Sequence, residues 1–297
     1  MMPLRPFEIH EPASIAEASE MLKEFGDDGR IYAGGTELLL AMKFDLLRYR
    51  HLVDVKVIPG LDGVQVRDGF LEIGAATTHY TLERSELVRK PLPVVAQMES
   101  KVANVRVRVT GSIGGNLCFA EPHSDPATLL AVLNASLTLE SARGRREVPI
   151  DQFIVGAYET CLDADELLTM VRIPLPTTRQ KIVYMKFQTH ERPSLGLALL
   201  LELSEQDHNI QNARVAVGCM SPFPRRLPAA EKLLVGNRSK VERQLQEAAE
   251  VLADEADLVD DYEGRTDYKR NLIQVYLRRA YHLIMAEGTN NPVPPSS

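Results

Sequence analysis

Apolar and polar positions change period repeatedly along the first third of the chain, which predicts short strands alternating with helices. Phe7-Glu-Ile-His10 reads as a short strand. Ser14-Ile-Ala-Glu17 forms a capping box ahead of Ile15, Ala18, Met21, Leu22 and Phe25, which recur at helical spacing as far as Gly26. Ile31-Tyr-Ala33 is a brief apolar run into Gly34-Gly35, and Thr36 to Lys43 is helical, so this stretch is strand, glycine turn and helix. His51 to Ile58 predicts a further β-branched strand, and the alternation from Val64 to Ile73 around Asp68-Gly69 predicts a hairpin.

From about 78 to 103 the pattern is helical, broken at Pro91 and Pro93. Val105-Arg-Val-Arg-Val109 alternates strictly and is expected as a strand, ahead of a second glycine-rich loop, Thr110-Gly-Ser-Ile-Gly-Gly-Asn116. A helix is expected from Pro126, with Asp125 placed to cap it. Leu137 to Glu140 and Leu167 to Ile173 read as strands, and Pro174-Leu-Pro176 marks the domain boundary. Beyond it, residues 181–189, 196–203 and 213–220 predict three strands, followed by helices at about 228–235, 239–254 and 266–286. Strands first and helices afterwards are the order of an α+β domain. The expected organisation is an α+β chain: a two-lobed domain over 1–176 (lobes about 1–58 and 59–176), an α+β domain over 177–287 and a disordered tail over 288–297.

The 34 Lys and Arg against 41 Asp and Glu give a formal charge of −7, which argues against an electrostatic nucleic-acid binder. The 44% hydrophobic and 25% charged residues are those of a globular protein with a packed core. The longest apolar run, Gly196 to Leu203, is too short for a membrane helix. The first eight residues lack the apolar segment of a signal peptide, so a cytoplasmic location is expected. Cys118, Cys161 and Cys219 are widely spaced, with no CxxC, and read as small buried hydrophobes rather than a disulfide or cluster framework.

The chemistry concentrates in the two glycine loops. Adjacent glycines let the backbone take positive φ and let a ligand approach amide groups with no Cβ in the way. Such loops at helix starts suit phosphate, although a lone Gly-Gly pair is more often a turn. Neither loop is GxGxxG with a following ribose-binding acid, and no GxxxxGK[ST] is present, which argues against nicotinamide Rossmann and Walker sites. Two loops acting together have the means to grip both phosphates of a dinucleotide. Lys101, Arg106 and Arg108 precede the second loop and favour an anion; the alternative reading is a solvated strand face opposite Val105, Val107 and Val109.

At these loops the chain resembles a known family. Tyr32-Ala-Gly-Gly-Thr-Glu-Leu-Leu-Leu-Ala-Met-Lys-Phe44 and Thr110-Gly-Ser-Ile-Gly-Gly-Asn-Leu-Cys-Phe-Ala-Glu-Pro-His-Ser-Asp-Pro126 are similar to the two FAD-binding segments of the molybdenum hydroxylase flavoproteins. That family covers medium subunits of the aerobic carbon monoxide dehydrogenase kind and the FAD domain of xanthine dehydrogenase. The resemblance implies a PCMH-type (vanillyl-alcohol-oxidase-like) FAD domain, then a domain with a three-stranded antiparallel sheet and a helical bundle. It implies that Ala33, Gly34, Gly35 and Thr36 hold the FAD pyrophosphate through backbone amides, that Glu37 orients the first loop, and that Ser112, Gly114, Gly115 and Asn116 form the second half of the grip. Asp125 is then expected on ribityl or ribose hydroxyls, and Lys186, in Tyr184-Met-Lys-Phe187, to reach the flavin. Residue by residue, the bland alternatives are helix capping for Asp125 and a strand-surface charge for Lys186.

The same resemblance implies an electron-transfer subunit working with a [2Fe–2S] small subunit and a molybdenum–pterin large subunit, as a dimer of heterotrimers. Val109 and Ser112 depart from the commoner Asn and Thr, leaving the glycine frame intact. No inserted cysteine set for a [4Fe–4S] cluster is present. Alternative readings are a self-sufficient FAD oxidoreductase of related fold and a non-enzymatic nucleotide-binding module. His79, His123 and His190 lack the paired spacing of a metal site, and no metal ligands are expected in this chain. Tyr158 is expected in the core, with an isoalloxazine contact as the alternative.

Overall fold

The computed structural model describes residues 4–189, 192–206 and 209–286, so His190 and the tail expected over 288–297 lie outside the described residues. The described residues form two compact units, one of those up to 121 together with 134–175 and the other of 122–133 together with those from 176 onwards. It therefore passes from one unit to the other after Glu121, Leu133 and Leu175.

The first unit begins with β1 (Glu8–His10), α1 (Ile15–Phe25), β2 (Gly29–Tyr32), α2 (Leu38–Lys43) and β3 (His51–Asp54). The three strands form a parallel sheet in the order β1-β3-β2, with His51 paired to both Glu8 and Gly29. Ser14 starts α1 by accepting the Glu17 amide on its hydroxyl (3.2 Å), and Glu17 accepts the Ala13 amide (2.7 Å). The helix lays Ala18 and Leu22 against Val53, Val55, Ile58 and Leu61. β3 ends sooner than the pattern to Ile58 predicts, because the Asp54 carboxylate accepts the Lys56 amide (2.9 Å) and turns the chain into a short 3₁₀ helix over Val55–Val57.

A second, antiparallel sheet has the order β4-β5-β10-β6-β7 and consists of β4 (Val64–Arg67), β5 (Phe70–Gly74), β6 (Ser136–Ser141), β7 (Gly144–Pro149) and β10 (Leu167–Pro174). Asp68 and Gly69 both have positive φ, 50° and 81°, and make the tight hairpin that the alternation predicts. Between β5 and β6 run α3 (His79–Arg84), α4 (Glu86–Arg89), α5 (Pro93–Glu99), α6 (Val105–Thr110), α7 (Ile113–Phe119) and α8 (Pro126–Val132), of which α8 belongs to the second unit. After β7 come α9 (Ile150–Phe153), β8 (Ile154–Gly156) and β9 (Glu159–Thr160), the two strands pairing as a small hairpin.

Residues 105–109 correct the expectation of a strand, for α6 is a helix. Asn104 accepts the amides of Arg106 and Val107 on its side chain, and the Thr110 hydroxyl donates to the Arg106 carbonyl. These local bonds start and hold a turn of helix, and Val105 and Val109 stay exposed.

In the second unit β11 (Gln180–Phe187), β12 (Leu195–Leu203), β13 (Ile210–Gly218) and β14 (Arg225–Arg226) form an antiparallel sheet in sequence order. β14 is a short fourth strand beyond the three expected. α10 (Pro228–Leu234), α11 (Val241–Glu255) and α12 (Thr266–Ala286) follow. Leu197, Leu199 and Leu201 pack with Leu252, Ile273 and Leu277 of the helices, while α8 packs on β12 and β13. A sheet buried on both faces accounts for the continuous apolar run of β12. Thr128 of α8 sits where a Cβ on Gly218 would be. Among the described residues no helix is long and apolar enough to cross a membrane.

An ion pair pins the edge of the second sheet of the first unit. Arg146 on β7 donates through Nε and Nη2 to the two carboxylate oxygens of Glu166 (2.7 and 2.6 Å), and Glu166 also accepts the Asp163 amide (2.9 Å). The Arg146 guanidinium holds the Glu166 carboxyl below its usual range. A carboxyl whose folded pKa is depressed contributes stability above its unfolded value, about 4.3, and loses it as pH falls through the folded value. Glu166→Gln is expected to flatten this acid dependence: the melting temperature of the native chain should drop more steeply than that of the variant between about pH 6 and about pH 3.

Candidate functional site

The first glycine loop leaves the carboxyl end of β2. Gly35 has φ +67°, and a Cβ there would lie 2.5 Å from the Tyr32 ring, so glycine is needed for the turn itself. The loop closes into α2 as the Leu39 amide donates to the Gly35 carbonyl (3.0 Å) and the Ala41 amide to that of Glu37 (2.9 Å). Lys56, just past the carboxyl end of the neighbouring parallel strand β3, donates through Nζ to the Ala33 carbonyl (2.9 Å) and to Asp54 Oδ1 (2.7 Å). Its ammonium also sits 3.9 Å from the centre of the Tyr32 ring. A fixed cation therefore stands beside the first loop.

The second loop is zipped along residues 75–79. The His79 amide donates to the Gly111 carbonyl (3.0 Å), that of Ile113 to Thr77 (3.0 Å) and that of Gly114 to Ala75 (2.9 Å). The Ser112 hydroxyl caps α7 by accepting the Gly115 amide (3.1 Å), and the Asn116 amide donates to the Ser112 carbonyl (2.9 Å). These amides, and that of Gly111, which donates to the Val107 carbonyl (2.7 Å), are thus engaged within the chain. A Cβ on Gly114 would lie 2.6 Å from Ala75, so Gly114 is glycine for packing.

The fold brings the two loops together. A Cβ on Gly34 would overlap the Thr110 carbonyl oxygen and stand 2.6 Å from the Gly111 Cα. One on Gly111 would stand 3.5 Å from Thr36 Oγ1. Gly115 differs from its neighbours: it is exposed, and a Cβ there would meet the Ser112 hydroxyl at 3.0 Å and the Ala33 Cβ at 4.0 Å. Neither backbone packing nor positive φ demands glycine at this position, where helix propensity disfavours it by about 1 kcal/mol against alanine. Glu37 stands at the N-cap position of α2, half-buried, without a side-chain capping bond.

Asp125 and Lys186 are brought together in the second unit. Asp125 Oδ2 accepts from Lys186 Nζ (2.8 Å), and Oδ1 accepts from the Tyr184 hydroxyl (2.6 Å). The side chains of Asp125 and Lys186 are only 4% and 6% exposed. Tyr184 and Lys186 share a face of β11, and the place of a Cβ on Gly196, the residue that pairs with Lys186, is taken by the Tyr184 hydroxyl. Burial, with the Asp125 carboxylate beside it, pushes the Tyr184 phenol well up, so it remains a proton donor. Asp125 therefore makes no capping bond to α8, and Lys186 is not a surface charge, contrary to the simpler roles that the sequence also allows.

Other candidates resolve into structural roles. Arg108 pairs with Glu83 (3.1 Å) and donates to the Val102 carbonyl (3.1 Å). His79 is buried and hydrogen-bonded to Glu99 (2.6 Å), next to the second loop. Tyr158, expected in the core, is 57% exposed and edge-on to Phe119, because its backbone takes φ 61° to donate to the Ala120 carbonyl. Of the three cysteines expected to be buried, Cys219 is, while Cys118 and Cys161 are half-buried; desolvation pushes the Cys118 thiol up to about 12, which disfavours a nucleophilic thiolate. Sequence reasoning missed Lys56 and Tyr184. Lys56 had a usable signal, since ligands of parallel sheets collect at the carboxyl ends of strands, and β2 and β3 end together there.

Two families match the chain: "FAD binding domain in molybdopterin dehydrogenase" over residues 5–176 and "CO dehydrogenase flavoprotein C-terminal domain" over residues 184–284. The carbon monoxide dehydrogenase medium chain of Hydrogenophaga pseudoflava is 30% identical, over 96% of this chain and 99% of its own length. The nicotine 6-hydroxylase medium subunit of Paenarthrobacter nicotinovorans is 32% identical, over 94% and 97%. Among solved structures, quinoline 2-oxidoreductase from Pseudomonas putida 86 superposes with a TM-score of 0.88 at 28% identity, over 98% of this chain and 100% of that one.

The glycines of the two loops are expected to separate on mutation. Gly34→Ala forces the loops apart and should cost about 1–3 kcal/mol or more in denaturant unfolding, whereas Gly115→Ala should unfold within about 1 kcal/mol of the native chain. In the second unit, Lys186→Met strands the Asp125 carboxylate and should cost about 3–5 kcal/mol, much of it recovered when Asp125→Asn is added.

Proposed function

Because the chain belongs to the family of FAD-binding medium subunits of molybdenum hydroxylases, we propose that it is the electron-transfer subunit of such a complex, taking electrons from an iron–sulfur subunit and passing them to an acceptor. The observation that carries the reading is the closure of the first glycine loop on the second, with exposed Gly115 opposite Ala33. FMN has one phosphate for two glycine loops far apart in sequence, whereas a pyrophosphate offers a phosphate to each.

The residues present fit the cofactor. In this reading Ala33, Gly34, Gly35 and Thr36 offer backbone amides to the pyrophosphate, and Lys56 supplies positive charge beside them. Of the second loop, Ser112 and Gly114 keep its shape, while Gly115 and Asn116 present the surface that the ligand approaches. Glu37 orients the first loop. An ionised carboxylate has about four acceptor positions, so Asp125, with two bonds made, keeps the means to accept a ribityl or ribose hydroxyl while Lys186 and Tyr184 fix its orientation. FAD, when bound, supplies one-electron and two-electron redox chemistry, and the protein contributes binding, orientation and electrostatics. In the proposed assembly a molybdenum–pterin subunit oxidises the substrate and a [2Fe–2S] subunit relays electrons, as a dimer of heterotrimers.

Acid release of the cofactor from the purified chain is expected to yield FAD on chromatography. Recovery of FMN alone, or of no flavin after reconstitution, would overturn the cofactor reading. The FAD-loaded chain alone is expected not to oxidise purines, aldehydes, carbon monoxide or N-heterocycles and to be reduced only after mixing with its two partner subunits. Substantial turnover by the chain alone would instead mark a self-sufficient oxidoreductase.

A further inference from the structure

The parallel sheet of the first unit gathers three metal-ligand side chains that lie far apart in sequence. Glu8 and His10 are two residues apart on β1 and so project from one face, and Glu8 pairs directly with His51 on β3. His10 Nε2 and His51 Nδ1 are 3.0 Å apart and share one hydrogen bond. A Glu8 carboxylate oxygen lies 3.8 Å from the first nitrogen and 3.7 Å from the second. Among the described residues this is the one group of three His, Cys, Asp or Glu side chains whose donor atoms lie so close to each other. Neither the flavin reading nor the two glycine loops uses it.

The geometry points to a binding site for a divalent transition-metal ion of the zinc class, ligated by His10 Nε2, His51 Nδ1 and the Glu8 carboxylate. Ligand bonds of about 2.0–2.1 Å at tetrahedral angles set donors about 3.3–3.4 Å apart. The nitrogen pair is slightly closer than that and the carboxylate slightly farther. Glu8, with a side chain 73% exposed, is free to swing inward. Phe25, the last residue of α1, backs the pair: its ring stacks on His51 with centroids 4.3 Å apart and 19° between planes, and lies 4.6 Å from His10. That apolar wall limits rotation of both imidazoles and leaves the nitrogens directed at each other. On binding, each ring carries its hydrogen on the other nitrogen, His10 on Nδ1 and His51 on Nε2, and the hydrogen bond between the two rings is given up to the ion. Two nitrogens and one carboxylate oxygen select zinc, copper or nickel over magnesium and calcium, which favour all-oxygen shells. A fourth position is left to water. The ion would clip the edge strand β1 to β3.

The test uses the full, tag-free, FAD-loaded chain, stripped of metal, titrated with Zn²⁺ by calorimetry and followed by thermal melting. One equivalent is expected to bind and to raise the melting temperature, while Mg²⁺ does neither. His10→Gln and His51→Gln should each weaken Zn²⁺ at least tenfold and Glu8→Gln less, with flavin content and circular dichroism unchanged. X-ray absorption at the zinc edge of the native protein, which requires no variant to fold, should count two imidazole ligands. No binding event, Zn²⁺ affinity unchanged in the His10→Gln/His51→Gln double variant, or a zinc spectrum without two imidazoles would overturn the site.

Discussion

No side chain fits between Gly34 and the peptide that joins Thr110 to Gly111, and the architecture of the first unit turns on that backbone-to-backbone approach. It fastens the turn after β2 to the start of α7, joining the parallel sheet to the segment that the antiparallel sheet carries through residues 75–79. Each loop is held independently, one by Lys56 on the Ala33 carbonyl and the other by the amide bonds to Ala75 and Thr77, so the contact joins two rigid pieces. The glycines accordingly do different work. Gly35 supplies positive φ, Gly34 and Gly114 supply close packing, and Gly115 is left with no neighbour that forbids a Cβ outright.

Charge is placed with similar economy in a chain whose formal charge is −7. At the first loop Lys56 is held by Asp54, Tyr32 and a carbonyl, so its ammonium is ordered before any ligand arrives. The arginine nearest the second loop on α6, Arg108, is spent on Glu83 and on carbonyls. In the second unit the buried Asp125 is neutralised by Lys186 and hydrogen-bonded by Tyr184, an arrangement whose desolvation cost is tolerable only because both carboxylate oxygens are satisfied. Gly196 makes room for the Tyr184 hydroxyl of that arrangement, as Gly218 does for Thr128 of α8.

Local chemistry carried much of the fold. The Ser14 cap, the Asp68-Gly69 hairpin and the helix over 266–286 depend on residues within a few positions of one another, and each was legible from those residues. Where the pattern misled, a competing local signal was present: Asn104 and Thr110 bracket the alternating valines and hydrogen-bond the turn that makes them helical. Tyr158 shows the opposite case. An aromatic residue in an apolar stretch reads as core, but a left-handed backbone position fixed by the Ala120 carbonyl turns its ring outward.

Sequence alone determined the two glycine loops, their order, the order of the three long strands and three helices after residue 177 and, through paired motifs, the family. Those properties follow from turn conformations, periodicity and caps, all set over a few residues. Only the tertiary structure decided that Gly34 meets Gly111, that Lys56 guards the first loop, that Asp125 and Lys186 neutralise each other and that Glu8, His10 and His51 converge. These pairings depend on strand register and on which segment crosses between the units. Each joins residues tens of positions apart, and the immediate neighbours of a residue in the chain do not specify which distant segment it meets.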